Sequence, residues 1–339
     1  MKISASIYSS KDKLLSEIVT ELDHHEVDYF HVDCNDDPRV FDDIAYINEH
    51  SATPADLHII SDTPEKYFAG IGRCIVKQVS FQFENFNSPI DFSLLKALAP
   101  HTDIGLAITS NTGIEAFDAY AEDCSYILLM TTTPGQSGGV FDKNTFRKIR
   151  QFQKRHPGKT IQVDGGVNAE VSFILRNLGV DSAVVGSYLF SKGYVGAALL
   201  NLKKPVVGSH FLLKDFMMML DEVPVIEESQ LTFEGALQKI EDYKMAFTLI
   251  TSASGLLKGL ISNADVRRGL LKNIGHLDQI NVHDCVNSNP LQMQEDSSIH
   301  DLLLFIKHTN FPLQYLPVVN KDHQLTGTIL FTNLIKGEL

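Results

Sequence analysis

Short apolar runs alternate with helical patterns along residues 1–205. Eight such runs are present: KISASI, DYFHVD, ADLHII, CIVKQVSF, DIGLAI, SYILLM, TIQVD and SAVVGS. A helical pattern follows each run, as in KDKLLSEIVTELDHH, where Leu14, Leu15, Ile18, Val19 and Leu22 share one face. Strands that alternate with helices predict parallel βα units. Eight units predict a closed (β/α)8 barrel, rather than an open sheet, as the α/β fold of this region.

The rhythm changes at KKPVVGSHFLLKDFMMML, where Pro205 and Gly208 predict the exit from the barrel. An internal repeat follows. VPVIEESQLTFEGALQKI is echoed by NPLQMQEDSSIHDLLLFI, and GLLKGLISNADVRRGL is echoed by QLTGTILFTNLIKGEL. Two copies of a β-α-β-β-α unit fit this spacing. We therefore predict a barrel over 1–205, a linker over 206–220, and an α+β pair with one repeat at 221–275 and the other at 280–339.

Composition and charge narrow the class of protein. The 339 residues carry 29 Lys and Arg against 42 Asp and Glu, a net charge of −13, which disfavours nucleic acid or anionic membranes as partners. No run of about 18 apolar residues predicts a transmembrane helix, and the N-terminus lacks the apolar core of a signal peptide. The four cysteines are scattered, with no C-x-x-C, which predicts reduced thiols and a cytoplasmic location.

Polar residues at the predicted strand ends indicate a metal site. Active sites of (β/α)8 barrels form at the carboxyl ends of the strands. There strand two ends with His31 and Asp33, strand three carries His58, and strand seven ends at Asp164. Two imidazoles and two carboxylates suit one divalent ion such as zinc, manganese, iron or cobalt. The alternative for either histidine alone is a hydrogen-bonded core residue without a ligand role.

Glycines near the last strands indicate a phosphate site. Gly165 and Gly166 follow strand seven, and Gly186 and Ser187 follow strand eight, where barrels commonly bind phosphate through backbone N–H groups. The alternative is that these glycines only permit tight βα turns. The glycine-rich segment TTTPGQSGGVF, residues 131–141, is long enough to act as a lid over a bound ligand.

These segments resemble the ribulose-phosphate 3-epimerase family over residues 1–205. The matching stretches are ISASIYS, HVD, DLHII, MTTTPGQSGGVF, VDGGV and VVGSYLF, in family order. The resemblance implies interconversion of D-ribulose 5-phosphate and D-xylulose 5-phosphate by proton transfer through an enediolate. It implies metal ligands at His31, Asp33, His58 and Asp164, with Asp33 and Asp164 also as the acid/base pair.

The same resemblance implies substrate contacts, and it has departures. It places the phosphate at Gly166, Gly186 and Ser187, Ser6 at the substrate, and Gly138 and Gly139 in the loop that closes over the sugar. The loop after strand two is shorter than in the family, and Gln82 stands where the family has histidine in Phe-His-x-Glu. These departures leave a second hypothesis, an epimerase for another ketose phosphate such as allulose 6-phosphate or a polysaccharide precursor.

The C-terminal repeat resembles a tandem pair of CBS (cystathionine-β-synthase-type) modules. Residues 259–265, GLISNAD, fit the family's ribose-binding pattern of glycine, two apolar residues, Ser or Thr, two further residues and Asp. This implies an adenine nucleotide effector at Ser262 and Asp265, and a homo-oligomer. The alternative is that these two residues only cap a helix. A third hypothesis makes the chain a non-catalytic sensor of sugar phosphate and nucleotide.

Overall fold

The computed structural model describes residues 1–10, 12–135, 138–191, 194–203, 211–276, 279–309 and 313–331. The chain forms two compact units, Met1–Val207 and Gly208–Thr332. The first unit carries all eight strands predicted for the barrel, and the second carries the predicted repeats.

Eight parallel strands close into a barrel in the first unit. They hydrogen-bond in sequence order, and β1 pairs with β8 to complete the ring. The predicted (β/α)8 fold is therefore confirmed. The strands are β1 Lys2–Ser6, β2 Tyr29–Asn35, β3 Ala55–Ile60, β4 Val76–Gln82, β5 Asp103–Ile108, β6 Tyr126–Met130, β7 Thr160–Asp164 and β8 Ser182–Val185.

Helices connect these strands. In α1, Ile18, Val19 and Leu22 are buried, as the apolar pattern predicts, but Leu14 is 71% exposed. Its inclusion in the apolar face was wrong because it precedes the helix as the N-cap residue. A 3-10 segment, Ile114–Tyr120, takes the helical position after β5. The helices are α1 Leu15–His24, α2 Val40–His50, α3 Phe68–Ile71, α4 Ser93–Leu98, α5 Asn144–Arg155, α6 Ala169–Asn177, α7 Ser187–Phe190 and α8 Val195–Lys203.

Strand alternation and register decide which side chains meet inside the barrel. His31 and Asp33 lie two apart on β2 and share one face. The register pairs His31 with Asp56 and Asp33 with His58 on the neighbouring β3. Asp164 is the last residue of β7. Parallel strands bring their carboxyl ends to one mouth, so all four predicted metal ligands meet there.

The second unit contains two sheets. In each repeat the first two strands pair in parallel and the third strand is antiparallel. One sheet has the order β10-β11-β12, and the other has the order β13-β14-β15-β9. The strands are β9 Met218–Met219, β10 Val225–Glu227, β11 Phe247–Thr251, β12 Leu257–Ser262, β13 Met293–Gln294, β14 Tyr315–Val319 and β15 Leu325–Leu330. The helices are α9 Leu213–Phe216, α10 Phe233–Tyr243, α11 Asn263–Lys272 and α12 Ile299–His308.

The two repeats match in detail. Gly259 of β12 pairs with Ile250, and Gly327 of β15 pairs with Val318 at the equivalent place. A register shift follows in both sheets, directly after these pairs. The repeats share a core, since Leu325 of the second repeat is buried with residues of β11 and β12. The predicted tandem α+β pair is therefore confirmed, while residues 332–339, at the end of the second predicted unit, lie outside the described residues.

The predicted linker contains secondary structure in its second half. Pro205 and Gly208, the predicted exit signals, lie outside the described residues. Farther along, α9 and β9 are formed, and β9 pairs with β15 of the second repeat. The boundaries 1–205, 206–220, 221–275 and 280–339 stay predictions.

Two further features of the described chain bear on the sequence predictions. Within the described ranges, no helix is both long and apolar enough to cross a membrane. All four cysteines are unpaired, and three of them are buried. Unpaired thiols agree with the absence of a disulfide framework, and the cytoplasmic location stays a prediction.

Candidate functional site

Four side chains converge at the mouth of the barrel. One ligand atom from each of His31, Asp33, His58 and Asp164 lies within 4.8 Å of every other. Asp33 Oδ1 is 3.3 Å from His31 Nε2 and 3.1 Å from His58 Nδ1. Both imidazoles are fully buried, and the two carboxylates are partly accessible. The structure therefore brings together the whole predicted ligand set.

Asp56 fixes the orientation of His31 from below. Its Oδ2 lies 2.9 Å from His31 Nδ1 and accepts hydrogen bonds from Ser4 Oγ and Gln162 Nε2, each at 2.6 Å. Asp56 is fully buried. Burial opposes its ionisation, but His31 and the donated hydrogen bonds hold the pKa of Asp56 below its usual value. An ionised Asp56 only accepts hydrogen bonds, so His31 carries its proton on Nδ1.

Gln82 and Glu84 fix the orientation of His58 in the same way. His58 Nε2 lies 2.9 Å from Gln82 Oε1, and Gln82 Nε2 donates to Glu84 Oε2. Burial disfavours the charged form of Glu84, but hydrogen bonds from Thr112, Thr109 and Gln82 lower its pKa. An amide that donates to a carboxylate must present its oxygen on the other side. His58 therefore carries its proton on Nε2.

These outer partners leave one inner nitrogen on each neutral imidazole as an acceptor. In that form, His31 Nε2 and His58 Nδ1 both turn a lone pair toward the same oxygen, Asp33 Oδ1. Acceptors that face one another repel unless a proton or a cation lies among them. Metal-binding histidines in general donate their second N–H to a carboxylate or carbonyl oxygen, as both do here. The donor set and its outer partners thus fit a divalent ion.

The charges in the cluster are unequal. Burial disfavours the imidazolium of His31, yet Asp56 and Asp33 raise the pKa of His31 well above its usual value. Burial also opposes ionisation of Asp33, but the charge of the adjacent His31 lowers the pKa of Asp33. Burial raises the pKa of Asp164 to about 6. The charge of His31 acts to lower this pKa, and the charge of Asp33 acts to raise it. In the metal-free protein, one aspartate is thus ionised while the other titrates near neutrality.

A pocket opens directly above this cluster. It is lined by five of the six predicted substrate residues, and Asp33 and Asp164 form its floor. The predicted residues in the lining are Ser6, Gly138, Gly166, Gly186 and Ser187. Gly139 is absent from the lining; a Cβ at Gly139 would lie 2.2 Å from the Thr132 side chain. Gly139 therefore lets the loop pack closely against Thr132, which follows β6, and Gln136 and Ser137 of that loop lie outside the described residues.

Several residues near the pocket were not predicted from the sequence. Tyr8 and Ser9 line the pocket from the 3-10 turn after β1. They lie beside Gly165, which was predicted with Gly166 near the phosphate, and Gly135 of the predicted lid segment. Tyr8 donates a hydrogen bond of 2.6 Å to Asp43. Their closeness in sequence to the predicted substrate residue Ser6 was the available signal, because Tyr8 and Ser9 lie two and three residues after Ser6, where the first strand ends.

The shortened loop after β2 is tied to the neighbouring loop. Asp36 has a left-handed backbone conformation, with φ of 58°. Its Oδ1 accepts from Ser61 Oγ at 2.6 Å and from Tyr67 OH at 3.0 Å, and it pairs with Lys66 at 2.6 Å. The loop is thereby held against the segment after β3 by contacts that the sequence did not predict.

In the second unit, Ser262 and Asp265 contact each other. Ser262 is the N-cap of α11, and its Oγ accepts from the Asp265 backbone N–H at 3.2 Å. Asp265 Oδ2 accepts from the Ser262 backbone N–H at 2.8 Å, and Asp265 Oδ1 accepts from Arg268. Both residues are buried. The structure therefore shows the capping interaction that the sequence left as an alternative.

The comparisons with known proteins decide the family. Residues 2–190 match the model of the ribulose-phosphate 3 epimerase family. The chain belongs to this family. Its barrel is therefore that of an epimerase, an isomerase that acts on a sugar phosphate.

The match to two relatives extends over nearly the whole length of each relative. The chain is 26% identical over 228 residues to the ribulose-phosphate 3-epimerase of Methanocaldococcus jannaschii, with 64% of this chain and 95% of that protein covered. It is 24% identical over 221 residues to the cytoplasmic isoform of ribulose-phosphate 3-epimerase from Oryza sativa subsp. japonica, with 61% and 95% covered.

The second unit has the repeated strand order and matched registers that the predicted CBS pair requires. Among solved structures, the chain is similar to the CBS-pair protein CBSX2 from Arabidopsis thaliana. The identity is 22% and the TM-score is 0.32, with 38% of this chain and 94% of that chain covered.

Proposed function

We propose that the barrel is a metal-dependent ketose-phosphate 3-epimerase that interconverts D-ribulose 5-phosphate and D-xylulose 5-phosphate. The observation that carries the proposal is the convergence of two histidines and two aspartates beneath a glycine-lined pocket. Membership of the epimerase family supports the reaction type. The ligand geometry supports the metal.

Asp33 and Asp164 would move the proton. Epimerisation at C3 removes the proton next to a carbonyl and returns one to the opposite face, which needs two acid/base groups. Asp33 lies near the carboxyl end of β2 and Asp164 ends β7, so they reach the pocket from different strands of the ring. One aspartate would accept the proton to give an enediolate, and the other would supply a proton on the other face.

A single divalent ion, which could be zinc, manganese, iron or cobalt, would be held by His31, Asp33, His58 and Asp164. Such an ion supplies positive charge that stabilises the enediolate. The imidazoles would orient it with their inner nitrogens, because Asp56 and Gln82 occupy the outer ones.

The phosphate would bind at the glycine-rich side of the pocket. The backbone N–H groups of Gly166, Gly186 and Ser187 are the proposed donors, with Ser6 beside the sugar. Gly166 has a φ of 61°, and a Cβ there would lie 2.5 Å from the Phe141 backbone nitrogen. Gly138 lines the pocket from the loop after β6, which is the proposed lid.

A second candidate keeps the chemistry and changes the sugar. The loop after β2 is tied by Asp36 to Ser61, Lys66 and Tyr67, on the side of the neighbouring loop. The departures of this loop from the family pattern favour another ketose phosphate, such as allulose 6-phosphate or a polysaccharide precursor. The non-catalytic sensor is the weaker reading, because a barrel without chemistry has no need for converging buried acceptors.

The CBS pair would regulate the barrel by binding an adenine nucleotide, and we expect a homo-oligomer. Ser262 and Asp265 would contact the ribose, with Arg267 and Arg268 near the phosphates. Such a ligand would have to compete with the cap of α11, because both side chains already bond to each other. Calorimetry with AMP, ADP, ATP and S-adenosylmethionine tests this, and a lack of heat for all four would remove the effector.

The test of the main proposal is a substrate panel on protein of defined metal content. Purified chain loaded separately with zinc, manganese, iron or cobalt is given ribulose 5-phosphate, allulose 6-phosphate and other ketose phosphates, with and without nucleotide. Turnover that is fastest with ribulose 5-phosphate supports the first candidate, and a preference for another sugar supports the second. A chain that takes up no metal and turns over none of them supports the sensor.

A further inference from the structure

A chain of hydrogen bonds connects the metal site to residues outside it. It runs from Lys148 on α5 to the turn at Thr109 and Thr112, and from that turn through Glu84 and Gln82 to His58. We propose that Glu84 is a positioning residue that selects the His58 tautomer able to bind a divalent cation, acting through the Gln82 amide. The inference rests on the proposed metal centre, and it adds a residue that neither contacts the metal ligands nor lines the pocket.

The first step is the set of donors around Glu84. Its Oε1 accepts from the Thr109 backbone N–H at 2.8 Å, from Thr109 Oγ1 at 3.0 Å and from Thr112 Oγ1. Its Oε2 accepts from Gln82 Nε2. A carboxylate offers only acceptors. Gln82 must therefore turn its NH2 group toward Glu84.

The second step follows from the fixed amide. With its NH2 group on Glu84, Gln82 presents Oε1 to His58 Nε2 at 2.9 Å, so that nitrogen must carry the proton. His58 Nδ1 is left with a lone pair that faces Asp33 Oδ1 at 3.1 Å, among the ligand atoms. Gln82 is 1% exposed and His58 is 0% exposed, so water has no access to compete for these bonds.

The third step anchors the donors themselves. Lys148 Nζ donates to the Thr109 carbonyl oxygen at 2.9 Å and to the Thr112 carbonyl oxygen. The turn is closed by a bond of 3.2 Å from the Thr112 N–H to the Thr109 carbonyl oxygen. The same lysine lies close enough to Glu84 to interact with its charge. The donors to Glu84 are thus held by α5, and their direction does not depend on His58.

Glutamine at position 82 gives this chain of hydrogen bonds a fixed direction of donation. A histidine, which the family resemblance places there, could change its own protonation and so serve either tautomer of His58. An amide has one oxygen and one NH2 group, and its orientation must come from its other partner. In this chain that partner is Glu84, which is why the choice of tautomer passes to a residue outside the site.

The variant Glu84→Gln tests the proposal. Its side-chain oxygen must still accept from Thr109 and Thr112, which leaves its NH2 group toward Gln82. Gln82 then turns over and presents its own NH2 to His58 Nε2, and the His58 proton moves to Nδ1 among the ligand atoms. We expect Zn²⁺ affinity, measured by competition with a chelator, to fall at least about tenfold, as for other outer partners of metal ligands.

A second readout needs neither metal nor turnover. Nitrogen-15 NMR of the metal-free protein, with the His58 signal assigned by its loss in His58→Asn, reports which nitrogen carries the proton. We expect Nε2–H in the wild type and Nδ1–H in Glu84→Gln. A wild type with Nδ1–H on His58 overturns the proposal without any variant, even if Glu84→Gln does not fold.

Two controls separate positioning from general destabilisation. Asp118→Asn removes a carboxylate of the same barrel that contacts Arg155 and His156, and it should change neither readout. In a Gln82→Met background, Glu84→Gln should lower Zn²⁺ affinity no further, because the amide that transmits its effect is gone. An equal loss in that background overturns the proposal.

The outcomes also separate this proposal from the proposed function. A wild type that binds Zn²⁺ but turns over no ketose phosphate contradicts the epimerase, and the affinity series still decides the role of Glu84. A wild type that takes up no Zn²⁺ contradicts the metal centre. In that case the tautomer measured in Glu84→Gln decides, and an unchanged Nε2–H refutes the role of Glu84.

Discussion

The barrel mouth and the start of α11 contain similar polar residues, but their hydrogen bonding differs. In the barrel, one nitrogen of His31 and one of His58 face Asp33, where each is an acceptor when its imidazole is neutral, and the other nitrogen of each ring is occupied by an outer partner. At α11, Ser262 and Asp265 donate to and accept from each other. The first group is complete only with an added positive charge, whereas the second is complete as it stands.

This difference teaches how to weigh a motif. A Ser-x-x-Asp pattern also occurs at the start of α12, where Ser298 and Asp301 form the same reciprocal cap. The pattern is therefore sufficient to start a helix in this chain, with or without a nucleotide. Side chains whose hydrogen bonds are already satisfied are weaker indications of a ligand than side chains whose acceptors converge.

The largest expected effect is on turnover by Asp164→Asn. The amide cannot exchange a proton in the required range, so we expect kcat to fall at least about 10³-fold, within the usual contribution of an acid/base group. Thermal unfolding should remain cooperative. The matched variant in the other region, Asp265→Asn, should leave basal turnover within twofold. Comparable losses in both variants would break the contrast between the two regions.

Removal of the metal ion comes next. We expect dialysis against a chelator to lower turnover about 100-fold, because the enediolate loses its stabilising charge. Added divalent ion should restore it. The secondary structure, followed by circular dichroism, should be unchanged, because the barrel strands do not depend on the ligands. Full activity after verified metal loss would contradict the role of the four ligands.

A smaller effect concerns the stability of the metal-free protein. Burial raises the pKa of Asp164 from its usual 3.8 to about 6. The unfolded chain loses this proton before the folded chain does, so stability falls as the pH rises from about 4 to about 6. Asp164→Asn lacks this loss. We expect it to be about 3 kcal/mol more stable than the wild type at pH 7, with less difference at pH 4.

Urea unfolding of metal-free wild type and Asp164→Asn at the two pH values measures this difference. Only the difference between the two proteins is compared, because other carboxylates contribute to both curves. A difference that is the same at pH 4 and pH 7 would mean that Asp164 does not titrate in this window.

The smallest effects are expected when either of the two matched helix N-caps is removed. Ser262→Ala and Ser298→Ala each remove one N-cap, and each should cost about 1 kcal/mol in the free energy of unfolding. Nucleotide binding sharpens the comparison. If AMP binds at the first repeat, calorimetry should show weaker binding for Ser262→Ala alone. Equal AMP binding by both variants would leave Ser262 with only its capping role.

The metal cluster could be predicted from the sequence because the prediction needed only the positions of the strand ends and the alternation of side chains along a strand. His31 and Asp33 share a face by their spacing of two, Asp164 ends its strand, and His58 lies two residues before the end of its own. Asp56 and Gln82 were not predicted to orient the histidines, since that role depends on strand register and on which atom of an amide faces which partner. Glu84 depends in addition on the turn at Thr109.

Other differences have equally local causes. Gly139 fits the family pattern, but its place in the loop is set by packing against Thr132. Tyr8 has no chemical signature in the sequence, and only the turn after β1 brings it to the pocket. Whether Ser262 caps a helix or contacts a ligand cannot be read from residue types, since both roles use the same hydroxyl.

The most direct test of the account is hydrogen exchange at C3 of a ketose phosphate in D2O. Metal-loaded wild type is incubated with ribulose 5-phosphate and, separately, with the rest of the panel, and proton NMR follows both exchange and the epimer. We predict deuterium at C3 together with formation of the 3-epimer, and neither with Asp164→Asn. A metal-loaded wild type that exchanges no C3 proton of any ketose phosphate would contradict the central claim.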